Sequence, residues 1–163
     1  MTLALLLRPE AVRGTAITEG LEMQHRYIVM AAALFSLAAG PATAASFLVH
    51  IHTGPDNPTE AALGFLVAMT AQKDGNTVTM FLAGDGASLI TDAALSSVVG
   101  KGTGKLRDSF DALSKGGARI YISGNSAKTR NITDADLVGK PAEFATPDKL
   151  VELAAAADVV LSY

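Results

Sequence analysis

Hydrophobic residues along the chain fall into short apolar runs that alternate with longer stretches of helical spacing. Ser46-Phe-Leu-Val-His-Ile-His52 is nearly continuous and rich in β-formers, as expected of a central strand covered on both faces. Thr53-Gly-Pro-Asp-Asn57 breaks it. Asn57 then reads as an N-cap with Pro58 at the first helical position. Ala61, Ala62, Phe65, Leu66 and Met69 recur at helical spacing as far as Lys73. Thr77–Leu82 is a second strand, stopped at Ala83-Gly-Asp-Gly86, and a weaker helical pattern follows over 87–99. Gly100-Lys-Gly-Thr-Gly104 reads as a flexible joint. Leu106, Phe110 and Leu113 mark one face of an amphipathic helix over 106–115, ended by Gly116-Gly117 in left-handed geometry. Ile120-Tyr-Ile122 is a third strand that gives way at Ser123-Gly124 to a polar loop entering a helix. Thr133 to Asp136 begins a short helix, 142–145 is a fourth strand, Thr146-Pro147 opens a last helix over 149–157, and 158–163 is a fifth strand.

Strands alternating with helices predict an α/β fold: three layers, α/β/α, around a five-stranded parallel sheet. The order within the N-terminal segment is different in kind. From Met23 the chain reads Met-Gln-His-Arg-Tyr, then Ile28 to Ala39 almost without polar residues, then Gly40-Pro-Ala-Thr-Ala44. A basic start, an apolar middle and a small-x-small ending make the pattern of a secretory signal peptide, with cleavage expected after Ala44. The apolar run falls short of the ~20 residues a membrane span needs. Glu10, Glu19 and Glu22 are foreign to such a leader, so Met23 is the candidate true start. The expected organisation is an N-terminal extension and signal peptide over 1–44, then one domain over 45–163, periplasmic after cleavage and off the membrane.

Composition narrows the function. The 163 residues are 49% hydrophobic and 18% charged, which suits one packed domain. A net charge of −3, 6% aromatics and no Trp argue against a nucleic-acid partner. The chain has no cysteine, so it contains no disulfide, no thiolate metal site and no cysteine nucleophile. No cofactor motif stands out: Gly100–Gly104 lacks the Lys-Ser/Thr ending of a phosphate loop.

Several blocks together resemble the DsrE/DsrF-like family, small α/β proteins of sulfur relay and related oligomers. They are Thr53-Gly54-Pro55 after the first strand, Phe81-Leu-Ala-Gly-Asp-Gly86 after the second, and Ile120 to Arg130, Ile-Tyr-Ile-Ser-Gly-Asn-Ser-Ala-Lys-Thr-Arg. Asp158-Val-Val-Leu161 fits as well, so the likeness runs from Phe47 to Tyr163. The resemblance implies a five-stranded parallel sheet and a homo-oligomer, trimeric or hexameric. It also implies that sulfur-carrying members hold a persulfide on a cysteine at the end of the third strand. That position is Ser123 here, and a serine hydroxyl neither ionises at neutral pH nor carries a persulfide. The sequence thus looks like a family member that keeps the scaffold and lacks the sulfur-transfer residue.

Ligands of open α/β sheets bind at the carboxyl ends of strands. The three turns there supply the candidate ligand-binding residues: Thr53, Gly54 and Asp56 from the first, Asp85 from the second, and Ser123, Gly124, Asn125, Ser126, Lys128 and Arg130 from the third. Lys128 and Arg130 beside unpaired backbone N–H groups suit a small anion, and they equally suit an ion pair across a subunit interface. A catalytic serine needs a base, and only His50 and His52 lie outside the leader; no Gly-x-Ser-x-Gly elbow surrounds Ser123. No catalytic residue is therefore assigned. His50 and His52 share one strand face and, with Asp56 or Asp85, offer a zinc or copper site as an alternative to packed histidines. The reading that follows is an exported, non-catalytic oligomeric module that binds a small anionic or sulfur-containing ligand or a partner protein. A relay component that borrows its partner's thiol is the alternative.

Overall fold

The computed structural model describes residues 43–163; the leader pattern and the candidate start at Met23 lie outside the described residues. Five parallel strands form the sheet: β1 Ser46–Ile51, β2 Thr77–Leu82, β5 Arg119–Ser123, β6 Ala142–Ala145 and β7 Val159–Ser162. Their spatial order is β6-β5-β2-β1-β7. The helices are α1 Pro58–Lys73, α2 Asp92–Ser97, α3 Leu106–Lys115, α4 Gly124–Thr129, α5 Asp134–Leu137 and α6 Pro147–Ala156. The expected five-stranded α/β architecture is the one observed.

The winding explains how the two faces of the sheet differ. From β1 through β2 and β5 to β6 the chain steps across the sheet in one direction, so right-handed crossovers place their helices on one face. The main core forms there, where Val49, Ile51, Met80, Leu82, Ile120 and Ile122 meet Phe65 of α1, Leu95 of α2, Leu113 of α3 and Ala127 of α4. The step from β6 back to β7 runs the other way, and α6 lands on the opposite face. Among the described residues only Leu48, Phe81 and Tyr121 are buried there, under Leu150, Leu153 and Ala154. None of the residues of α6 is fully buried, and Val151 and Val160 are exposed.

Local choices follow the sequence in most places. Asn57 caps α1: its side-chain oxygen accepts from the Glu60 N–H at 3.5 Å, and its amide donates to the Glu60 carboxylate at 2.6 Å. Gly117 ends α3 with φ +80°. Three expectations need correction. Gly100–Gly104 is no loose joint: it is the turn of a hairpin between β3 Val99–Gly100 and β4 Gly104–Lys105, and the Lys101 N–H donates to Thr59 Oγ1 at 3.0 Å. The helical pattern over 87–99 divides into a 3-10 turn, Gly84–Ile90, and the short α2, which Thr91 caps through its hydroxyl. No polar loop follows β5, because Ser123 is both the last residue of the strand and the N-cap of α4.

Candidate functional site at the carboxyl edge

Three turns meet where β1, β2 and β5 end, and glycines allow the first two to interlock. A Cβ on Gly86 would sit 2.4 Å from the Ile51 carbonyl oxygen, and one on Gly54 would sit 2.7 Å from Asp85 Cβ. Gly84 takes φ +53°, a region that side-chain-bearing residues seldom enter. The Gly86 N–H donates to the His52 carbonyl at 3.0 Å, which ties the second turn to the first. The third turn joins through Ser126, whose hydroxyl accepts from the Gly84 N–H at 2.9 Å. Ser123 Oγ in turn accepts from the Ser126 N–H at 3.4 Å. The small residues at these positions thus serve to bring backbone against backbone.

Arg130 and Asp85, 45 residues apart in sequence, close over this frame. The guanidinium of Arg130 donates to the Ser126 carbonyl at 3.2 Å, to Thr129 Oγ1 at 2.9 Å and to the Asp85 carboxylate. The side chain of Arg130 is 27% exposed and that of Asp85 77%. The cation is therefore held by Ser126 and Thr129 of its own helix and paired with the exposed Asp85 carboxylate. An incoming anion meets Asp85 as a competitor for the guanidinium. The sequence offered Arg130 either to an anion or to an acidic partner across a subunit interface; the structure gives it an acidic partner within the chain.

The remaining candidates are distributed differently. The Thr53 N–H donates to the Tyr163 carbonyl at 3.3 Å, beside the His52 N–H at 2.8 Å. These bonds join the turn after β1 to the end of β7, its neighbour in the sheet. Asp56 and Asn125 are exposed, and among the described residues no ion pair or side-chain hydrogen bond joins them to Asp85 or Arg130. Gly124 and Lys128 line a cavity with Ala127, Ile132, Phe144 and Thr146. Nothing in the sequence pattern pointed to that cavity, since its apolar walls are Ala127, Ile132 and Phe144, which only the fold brings together.

His50 and His52 do share the α6 face of β1, with their rings edge to face at 5.8 Å. His50 also meets Phe81 at 6.0 Å, and its Nε2 is buried without a hydrogen-bond partner. Burial, and next the neighbouring His52, lowers its pKa and favours the neutral ring. Among the described residues no third His, Asp or Glu joins the pair at ligand spacing. β2 lies between β1 and β5, so the histidines are one strand removed from Ser123. The only hydrogen bond through Ser123 Oγ among the described residues is its helix cap, so no base activates it.

Comparison with known proteins gives the chain its relatives. A family model described as the DsrE/DsrF-like family matches residues 45–163. The crystal structure of the YchN protein from E. coli is similar with a TM-score of 0.62 at 15% identity, over 74% of this chain and 100% of that one. At such identity the likeness is one of fold. No curated protein matches the sequence.

Proposed function

The chain belongs to the DsrE/DsrF-like family, and from that premise we propose that it is an exported, non-catalytic binding module. Its ligand is a small anion of the sulfur-oxyanion type, taken up at the carboxyl edge of the sheet by Arg130. The fold is the one used in sulfur relay, yet the chain contains no cysteine and carries Ser123 at the strand end where the family's sulfur-carrying members are expected to have one. Binding without transfer is the chemistry left to it. The observation that carries the reading is the triply anchored guanidinium over three interlocked turns: a cation already oriented, one of whose partners is the exposed, displaceable carboxylate of Asp85.

Two further parts of the proposal rest on other features. Assembly with further copies of the chain is supported by the thinly covered α6 face, with Val151 and Val160 exposed, and by β7, an edge strand of the sheet. Export is supported by the three-part pattern from Met23 to Ala44.

Calorimetric titration of the chain with thiosulfate tests the central part. Replacing Asp85 by Asn removes the competitor and is expected to tighten binding, whereas Arg130→Ala abolishes it with the fold retained. Unchanged affinity in both variants would refute the assignment. Sedimentation of the wild-type chain beside Val160→Glu tests assembly, and N-terminal sequencing of exported protein tests cleavage after Ala44.

A further inference from the structure

We infer that the cavity lined by α4 and β6 is a second binding site, one for a small monocarboxylate with an apolar body, separate from the Asp85–Arg130 pair. The cavity holds about 320 Å³, at the lower end of the range for small-molecule sites. Its floor is carbon: Ala127 and Ile132 are buried, and Phe144 is half-buried on the main-core face of β6. Its mouth is framed by Gly124 and Thr146, and Lys128 stands at the rim.

Three features favour an anionic head on that apolar body. Lys128 follows Gly124 by four residues, one turn along the same face of α4, and both line the cavity. Among the described residues no carboxylate lines the cavity and none pairs with Lys128. Thr146, which precedes α6, makes no capping bond with its hydroxyl, which leaves a donor free at the rim.

Gly124 carries the remaining argument. Its φ is not in the left-handed region, and an added Cβ would meet only the Ala145 carbonyl oxygen, at 3.5 Å. Neither backbone conformation nor packing demands glycine there, unlike at Gly54 and Gly86. What the missing side chain does is keep the mouth open. The fit is therefore to an apolar group entering past Gly124, with its carboxylate held between the Lys128 ammonium and the Thr146 hydroxyl.

The test is an amide-shift titration of the full chain with benzoate, with benzyl alcohol as the uncharged isostere and acetate as the head group alone. Saturable benzoate binding that perturbs Ala127, Ile132 and Phe144 is expected, with acetate failing to saturate. Lys128→Gln should weaken benzoate about tenfold, the size of one charge-assisted hydrogen bond, and leave benzyl alcohol unchanged. Gly124→Val, which fills the mouth, should block both while Arg130→Ala blocks neither. The inference is overturned if millimolar benzoate shifts no resonance, if the shifts cluster at Asp85 and Arg130, or if Lys128→Gln binds benzoate like wild type.

Discussion

Replacing Gly86 by Ala tests whether the interlocked turns hold the edge of the sheet together. Gly86 has an ordinary φ, so alanine introduces no dihedral strain there. The cost is steric. The new Cβ would lie 2.4 Å from the Ile51 oxygen, 2.9 Å from the Ile51 carbonyl carbon and 3.2 Å from His52 Cα, all of them backbone atoms of β1 and its turn. A flexible side chain yields to such an intrusion; a strand in the middle of the sheet does not. Overpacking a core costs about 1–3 kcal/mol, and a backbone shift puts this change at the upper end, about 3 kcal/mol. For a domain of this size that corresponds to a fall in Tm of roughly 10 °C. Urea unfolding followed by circular dichroism measures it, since the chain has no Trp. Gly124→Ala is the control: its Cβ meets nothing closer than 3.5 Å, and stability should change by less than about 1 kcal/mol. Equal stability of the two variants would refute the claim that Gly86 is required for the close approach of β1 and β2.

Other consequences can be checked in the same way. The pKa of His50 is lowered in the fold, so below its ordinary value the unfolded chain takes up the proton first. Stability should therefore fall as pH drops below about 6.5, a slope that His50→Gln removes; thermal melts between neutral and mildly acid pH show it. Asp158 is held below the usual carboxylate range by the Ser46 N–H at 2.8 Å and next by the Ser46 hydroxyl at 2.7 Å. Its contribution is present above that ordinary range and lost as pH falls through it, so Asp158→Asn should flatten the acid limb and speed amide exchange at the amino ends of β1 and β7. Phe65 is fully buried at the centre of the main core, and Phe65→Ala should cost about 3–5 kcal/mol in urea unfolding.

The layered fold was legible because burial on one or both faces leaves a period in the sequence. Leu106, Phe110 and Leu113 of α3 all point into the core, and the run from Ser46 to Ile51 lies between two strands as its continuous apolar character implied. The hairpin at Gly100–Gly104 was not legible, since two-residue strands are too short to show any period. The 3-10 turn over 84–90 was missed because Leu89 and Ile90 are buried at spacings that also suit an α-helix. Strand ends and glycines located the turns after β1 and β2, while the polar loop expected after β5 is the start of α4. What the sequence could not supply was pairing at a distance: Asp85 with Arg130, and Phe144 with Ala127 and Ile132 across a cavity. Spacing along the chain says nothing about contacts between residues that only the sheet order brings together.

The measurement that bears most directly on the binding role is the crystal structure of the protein soaked in selenate, an analogue of the sulfur oxyanions with its own anomalous signal. The account predicts a selenium peak within hydrogen-bond reach of the Arg130 guanidinium, with the Asp85 carboxylate swung away. An intact Asp85–Arg130 pair with selenate bound elsewhere, or nowhere, would contradict it.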